Sequence, residues 1–122
     1  PGSRHYIHAK DVADGMLFLL QNQSKISQLP NDYGGAKCPK FNLVGPVEWD
    51  NLVLAQKIAM SQNKELKYKM VDFHSSRPGH DLRYALDGTL MKELGWEPKV
   101  SIDERISQVV NWTLNNDRWL KL

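Results

Sequence analysis

Apolar residues recur at helical spacing in three stretches of the chain. The pattern predicts one helix from Asp11 to Leu20, with Asp11 capping its first turn, and a second from about Trp49 to Gln62. A third begins at the capping box formed by Ser101 and Glu104. The core-facing positions predicted for this last helix are Ile102, Ile106, Val109, Val110 and Thr113. The first helix is apolar around much of its circumference, so it requires burial on more than one side.

Shorter segments predict strands and turns between these helices. Strands are expected at Lys40 to Val44, at Leu66 to Met70, where apolar residues alternate with lysines, and at Leu82 to Leu86. A long polar loop is expected from Gln21 to Pro39. Asp87 is placed to cap a short helix that ends at a C′ glycine, Gly95, and the tryptophans are expected in the core or between helices: Trp96, Trp112 and Trp119. The order of elements predicts an α/β or α+β fold with short strands and about four helices.

Composition narrows the class of protein only a little. A chain of 122 residues with 41% hydrophobic and 25% charged residues is typical of one globular domain, residues 1–122. The net charge of +2 is too small to indicate binding to nucleic acid or to an anionic membrane, and no apolar run reaches transmembrane length. A single cysteine, Cys38, cannot form an internal disulfide, which favours a reducing, cytoplasmic location.

The strongest chemical signal lies between Ser75 and Leu86. There Arg77, His80, Asp81 and Arg83 surround a Pro78-Gly79 turn. Cationic and donor side chains beside exposed backbone amides suit a phosphate or a carboxylate. The same composition is also typical of a solvated, charged loop, and residue types alone leave both interpretations open.

Five segments, taken in order, resemble one known family. They are Arg4-His-Tyr-Ile-His, Phe41-Asn-Leu-x-Gly45, Asn51-Leu, Arg77-Pro-Gly-His-Asp-x-Arg-Tyr and Glu93-Leu-Gly-Trp-x-Pro98. Together they resemble the carboxy-terminal, substrate-side part of an extended short-chain dehydrogenase/reductase, and most closely the nucleotide-sugar 4,6-dehydratases that act on dTDP-glucose. The resemblance covers the chain except residues 21–39.

The resemblance implies a parent lyase with a Rossmann-type fold that acts on a dTDP- or UDP-hexose. In that family a tightly held NAD oxidises the hexose at C4, water is lost across C5 and C6, and the hydride returns at C6. The resemblance also implies a cytoplasmic homodimer. A UDP-sugar epimerase or decarboxylase of the same superfamily, and a stand-alone module that binds nucleotides or a protein, remain as alternatives.

Four residues match the family's diphosphate-binding positions: Arg4, Asn51, Arg77 and His80. Guanidinium forks and neutral donors around a pyrophosphate agree with this assignment, since each charged hydrogen bond contributes about 1.5–3 kcal/mol. The alternative for Arg77 and His80 is a structural ion pair with Asp81 or Asp87. His5 stands where the family commonly has an acidic residue.

The sequence contains no catalytic or NAD-binding residues that match the family. It has no G-x-x-G-x-x-G loop, and Tyr6-x-x-x-Lys10 and Tyr33-x-x-x-Lys37 have the catalytic spacing outside a predicted helix. His5-x-x-His8 lacks further ligands at metal-binding spacing, so no metal is expected. The chain is therefore predicted to be an inactive piece of its parent. The Asp11–Leu20 helix should expose an apolar face through which the piece self-associates.

Overall fold

The computed structural model describes residues 2–30, 39–72, 78–79 and 81–121. Within these ranges the chain forms three short strands, five α-helices and one 3-10 helix, which confirms the predicted α/β class and exceeds the expected four helices by one. The elements in chain order are β1 (Ser3–His5), α1 (Ala9–Gln21), α2 (Gln23–Ile26), β2 (Glu48–Asp50), α3 (Asn51–Met60), β3 (Arg83–Tyr84), α4 (Thr89–Glu93), α5 (Ile102–Leu114) and the 3-10 helix Asp117–Trp119.

The sheet places β1 at its centre, in the order β2-β1-β3. β1 pairs antiparallel with β2, with Arg4 opposite Trp49, and parallel with β3, with Arg4 opposite Tyr84. Because side chains alternate along a strand, Arg4, Trp49 and Tyr84 share one face of the sheet. Ser3, His5 and their partners share the other face.

The core is a stripe on α5 that packs against α3 and the sheet. Its buried members, spaced four residues apart, are Ile102, Ile106 and Val110, and the half-buried apolar residues against it are Tyr6, Trp49 and Leu54. The core assignment of Val109 was wrong because its side chain, one position before Val110, faces solvent, and Thr113 is half-buried. The four-residue spacing therefore defines a narrower stripe than was predicted.

Helix α4 and the turn after it bury two further apolar residues. Met91 and Trp96 are almost fully covered, and Gly95 adopts a φ of +99°, as expected of a C′ glycine. Trp112 and Trp119, in contrast, are exposed, with ring centroids 6.2 Å apart. They pack on each other rather than in the core.

Two helices begin at positions other than those predicted. The N-cap of α1 is His8, whose Nδ1 accepts a hydrogen bond from the Lys10 amide, while Asp11 is buried and binds Arg105 instead. Helix α3 begins at Asn51, after the N-cap Asp50, whose carboxylate accepts from the amide of Val53. In both cases a side chain that bonds the first-turn amides fixes the start of the helix.

The residues predicted to cap α5 and α4 also bond the first turns of these helices. Ser101 caps α5 by accepting a hydrogen bond from the Glu104 amide, as predicted. For α4 the N-cap is Gly88, but the Asp87 carboxylate accepts from both the amide and the hydroxyl of Thr89. Asp87 therefore bonds the first residue of the helix from one position earlier than a standard cap.

The predicted strands were largely wrong. The predicted strand at Lys40 to Val44 is irregular; there the Asn42 side chain donates to the Asp87 carbonyl and Leu43 lies beside Gly15. Residues 64–72 are irregular and mostly exposed, since no described strand lies beside them to complete a ladder. The predicted strand at Leu82 to Leu86 is reduced to Arg83–Tyr84. A strand that sequence did not predict, β2, covers Glu48–Asp50.

One side of α1 is uncovered. Met16, Leu17 and Leu20 are each more than half exposed, and Leu19 is half-buried. The expected apolar face is therefore present on the single chain. Among the described residues, none of the helices has the length and apolar character needed to cross a membrane.

Candidate functional site

Arg4 lies at the centre of the sheet with its guanidinium held in place by neutral groups. Its Nη1 donates to the carbonyls of Ser3 at 2.6 Å and Leu82 at 3.3 Å, and its Nη2 makes a longer contact of 3.5 Å with the carbonyl of Asp81. The guanidinium carbon lies 4.2 Å from the centroid of the Tyr84 ring, a cation–π geometry. Arg4 makes no salt bridge to any carboxylate within the described ranges. Its charge is thus fixed in position and available to an anion.

Asn51 lies beside Arg4 because the start of α3 pairs with the start of β1. The Asn51 amide donates to the Gly2 carbonyl at 3.2 Å. A Cβ added to Gly2 would lie 3.7 Å from Arg4 Nη1 and 3.9 Å from Asn51 Nδ2, so the two donors flank one point. Gly2 is buried, and a Cβ there would also lie 3.3 Å from the carbonyl oxygen of Leu82, so the space between the donors is closely lined. Two of the four predicted site residues are therefore brought together.

Two other arginines have carboxylate partners and are used for structure. Arg83 forms a bidentate salt bridge with Glu48, with distances of 2.6 and 2.8 Å, and the resulting hydrogen bonds, with help from Ser3, lower the pKa of Glu48 from 4.5 to about 2. Arg105 pairs with the buried Asp11, and this hydrogen bond raises the pKa of Arg105. Arg4, unlike these two arginines, has no carboxylate partner among the described residues.

Among the described residues, the large apolar groove and the cleft beside Arg4 are two different cavities. A cavity of about 620 Å³ between α3 and α5 is lined mainly by apolar side chains and includes neither Arg4 nor Asn51. Arg4 lines a smaller cleft of about 260 Å³ together with His5, Leu43 and Tyr84, among others. Asn51 lies outside that cleft, on the Gly2 side of the guanidinium. The large groove also includes Lys64 and Arg105 in its lining, but Arg105 is paired with Asp11.

The remaining candidates divide into two groups. Arg77 and His80 lie outside the described residues, as do Tyr33 and Lys37, although the Pro78-Gly79 turn is present, with a φ of +77° at Gly79. Tyr6 precedes α1, whereas Lys10 lies on it, and the Tyr6 hydroxyl bonds Asn51. The pair therefore lacks the shared helix face that Tyr-x-x-x-Lys chemistry requires.

The two histidines near the start of the chain have separate structural partners. His5 Nδ1 lies 3.2 Å from the carbonyl oxygen of Gly45 and its Nε2 lies 3.7 Å from Glu48, whereas His8 caps α1. Burial, with a smaller effect of Arg105, lowers the pKa of His8, which favours the neutral, capping form. Within the described residues no group of three potential ligands has metal-binding geometry.

Sequence reasoning missed three residues that shape this site. The sequence analysis assigned no role in an anion site to Tyr84, Tyr6 or Gly2. The signal that was available for Tyr84 is its position one residue after Arg83 in the charged motif. Its contact with Arg4 depends on the parallel pairing of β1 with β3, which no local pattern encodes.

The fold is a small mixed α/β unit of the kind found within Rossmann-type proteins. A family model described as GDP-mannose 4,6 dehydratase matches residues 2–109. The dTDP-glucose 4,6-dehydratase of Xanthomonas campestris pv. campestris (strain ATCC 33913) is 34% identical over 89 residues, which cover 66% of this chain and 25% of that protein. That of Streptomyces niveus is 36% identical over 117 residues, which cover 95% of this chain and 31% of that protein.

A third relative agrees with these two. The dTDP-glucose 4,6-dehydratase of Haemophilus influenzae is 36% identical over 85 residues, covering 67% of this chain and 25% of that protein. The chain belongs to the GDP-mannose 4,6 dehydratase family, which confirms the resemblance seen in the sequence. It spans about a quarter to a third of the length of these relatives.

Proposed function

We propose that the chain is the part of a nucleotide-sugar 4,6-dehydratase that binds the diphosphate of the substrate, through Arg4, Asn51, Arg77 and His80. The substrate class proposed is a dTDP- or UDP-hexose. Membership of the dehydratase family supports the class of enzyme. The grip on the diphosphate is supported by the geometry at the start of the sheet.

One observation carries the proposal. The guanidinium of Arg4 is fixed by backbone carbonyls and by Tyr84 and lacks a carboxylate partner among the described residues. Its Nη1 and the side-chain nitrogen Nδ2 of Asn51 both lie beside Gly2. The charges of Arg83 and Arg105, in contrast, are paired with carboxylates. A fixed, unpaired cation with a neutral donor beside it suits a phosphate oxygen.

The chain segment that carries the other two candidates reaches Arg4. The carbonyls of Asp81 and Leu82 accept hydrogen bonds from its guanidinium, and Asp81 directly follows His80 in the sequence. This contact supports the proposal that His80 and Arg77 complete the site. In such a site the guanidinium groups neutralise the diphosphate and hold the hexose in a fixed position, which is the contribution of a positioning surface to catalysis.

The residues of this chain do not fit an NAD site, because the sequence has no glycine-rich phosphate loop. We therefore propose that other parts of the parent lyase hold the cofactor and that this chain alone is inactive. A cytoplasmic homodimer remains part of the proposal for the parent.

The test is calorimetric titration of the chain with dTDP, UDP and thymidine. We expect the diphosphates to bind and thymidine to bind much more weakly, since it lacks the charged groups. Arg4→Ala should weaken dTDP binding by about tenfold or more, as loss of a charged hydrogen bond implies. Arg118→Ala is the matched control, because it removes the same charge from an exposed residue stacked on Trp119.

Equal dissociation constants for wild type, Arg4→Ala and Arg118→Ala would contradict the proposal. Equal weakening by both arginine variants would also contradict it, because the effect would then reflect net charge rather than a site. A difference between dTDP and UDP would identify which of the two nucleotides the chain prefers.

A further inference from the structure

We infer that Tyr6 is a positioning residue that orients the Asn51 amide for an anionic ligand, an inference that rests on the proposed function. The Tyr6 hydroxyl donates to Asn51 Oδ1 at 2.6 Å. With its oxygen occupied in this way, the amide turns Nδ2 towards the space at Gly2, where Arg4 Nη1 also lies.

Tyr6 is well placed for this role because its ring is anchored in the core. The ring packs against the α5 stripe of Ile102, Ile106 and Val110, and it follows directly from the strand that carries Arg4. A ring held by packing gives its hydroxyl a fixed position, so little side-chain freedom is lost when the hydrogen bond forms. The same core would accept a phenylalanine, so the hydroxyl is what links the core to Asn51.

Asn51 needs such a partner because an amide has two orientations. Its backbone is fixed by α3 and by the hydrogen bond to Gly2, but rotation of the side-chain amide exchanges Oδ1 and Nδ2. An anion accepts hydrogen bonds only, so Nδ2 facing it is favourable and Oδ1 facing it is repulsive. Within the described residues Nδ2 has no hydrogen-bond partner, which leaves both of its hydrogens for a ligand. A tyrosine hydroxyl can also accept, but here it donates to Oδ1, and in this arrangement Nδ2 is the atom on the side that faces Arg4.

The experiment is a double-mutant cycle on dTDP binding, measured by calorimetry with wild type, Tyr6→Phe, Asn51→Ala and the double variant. Tyr6→Phe removes one oxygen and keeps the ring, so the core stays filled, and the thermal midpoint of each variant is recorded to verify folding. We expect Tyr6→Phe to weaken binding about three- to tenfold, the range of one neutral hydrogen bond. In the Asn51→Ala background the same change should have no effect.

Two results overturn the role of Tyr6. One is a dissociation constant unchanged by Tyr6→Phe although Arg4→Ala and Asn51→Ala weaken binding, which leaves the diphosphate site intact. The other is equal weakening with and without Asn51, which is the behaviour of a purely structural residue. If Arg4→Ala and Asn51→Ala have no effect, or if wild type does not bind dTDP, the proposed function fails together with this inference.

Discussion

Glu48 and Arg83 lie on the two outer strands of the sheet, and their bidentate salt bridge crosses the central strand β1. Ser3 of β1 donates a third hydrogen bond to the same carboxylate at 2.6 Å. The three strands of this short sheet are thus joined by one acidic side chain. Arg4 points to the opposite face, where no described carboxylate neutralises it. Two arginines of the same sheet therefore differ: Arg83 is paired with a carboxylate, whereas Arg4 has no such partner among the described residues.

Replacement of Glu48 should change how stability depends on pH. The pKa of Glu48 is lowered in the folded chain from 4.5 to about 2, mainly by hydrogen bonds from Arg83 and Ser3. A carboxyl group with a lowered folded pKa stabilises the fold above its unfolded value, and this contribution is lost as the pH falls from about 4.5 towards 2.

Over this pH window the thermal midpoint of wild type should fall as Glu48 becomes protonated. Glu48→Gln cannot be protonated there, so its thermal midpoint should fall less. Thermal unfolding followed by circular dichroism between pH 2 and pH 6 measures the effect. Glu97→Gln is the control, since its exposed carboxylate pairs only with Lys92 among the described residues. A Glu48→Gln profile parallel to that of wild type would show that the salt bridge does not stabilise the sheet.

Loss of Asp11 should be far more damaging than loss of an exposed acid. Asp11 is 5% exposed and its carboxylate is bound by Arg105, whose side chain is also mostly covered. Asp11→Asn removes the carboxylate charge that pairs with the Arg105 guanidinium, and removal of one partner of a mostly buried pair is costly. Asp103→Asn removes the exposed salt bridge to Lys57 and should cost about 0.2–1 kcal/mol.

Urea denaturation of both variants makes the comparison. The free energy of unfolding should decrease several times more for Asp11→Asn than for Asp103→Asn. Similar decreases would mean that the pair between α1 and α5 does not hold these two helices together.

Gly15 should not tolerate alanine, although it lies within a helix. A Cβ at this position would lie 2.5 Å from Leu43 and 2.9 Å from Trp96. Alanine normally favours a helix over glycine by about 1 kcal/mol, but overpacking typically costs about 1–3 kcal/mol. We expect Gly15→Ala to lower the thermal midpoint, and a higher midpoint would show that α1 is free to move away from Trp96. Ala13→Gly, at an exposed position of the same helix, measures the propensity difference alone.

Features that depend on local residue spacing were predicted better than features that depend on strand pairing. The α5 stripe, the Ser101 cap, the Gly95 turn and the exposed face of α1 follow from local spacing and residue chemistry, and the structure contains all four. The strand at Glu48–Asp50 was missed because it has no alternating pattern of its own and forms through its pairing with β1. A strand requires a partner, and the identity of that partner is not a local property.

In the candidate site, too, some residues were named from the sequence, whereas their contacts were not. Arg4 and Asn51 were named through the family resemblance, and their proximity follows from the β1–β2 pairing that leads into α3. Neither the ring of Tyr84 beneath the guanidinium nor the hydroxyl of Tyr6 on the amide is visible in residue spacing. Both arise from elements that are distant in the sequence.

The uncovered face of α1 predicts concentration-dependent self-association. Met16, Leu17 and Leu20 are each more than half exposed, and burial against a second copy would remove their apolar surface from water. We expect sedimentation velocity to show an increase in mass with concentration, and Leu17→Glu with Leu20→Glu should abolish it. Val71→Glu with Met70→Glu, at exposed apolar positions outside α1, is the control. A wild-type chain that stays monomeric at high concentration would exclude this mode of association.

The central claim is that Arg4 and Asn51 hold the diphosphate of a sugar nucleotide, and a crystal structure of the chain with dTDP tests it most directly. We predict diphosphate oxygens within hydrogen-bonding distance of the Arg4 guanidinium and of Asn51 Nδ2, with Arg77 and His80 bound to the same diphosphate. A diphosphate bound elsewhere on the chain, with Arg4 and Asn51 free of it, would contradict the account.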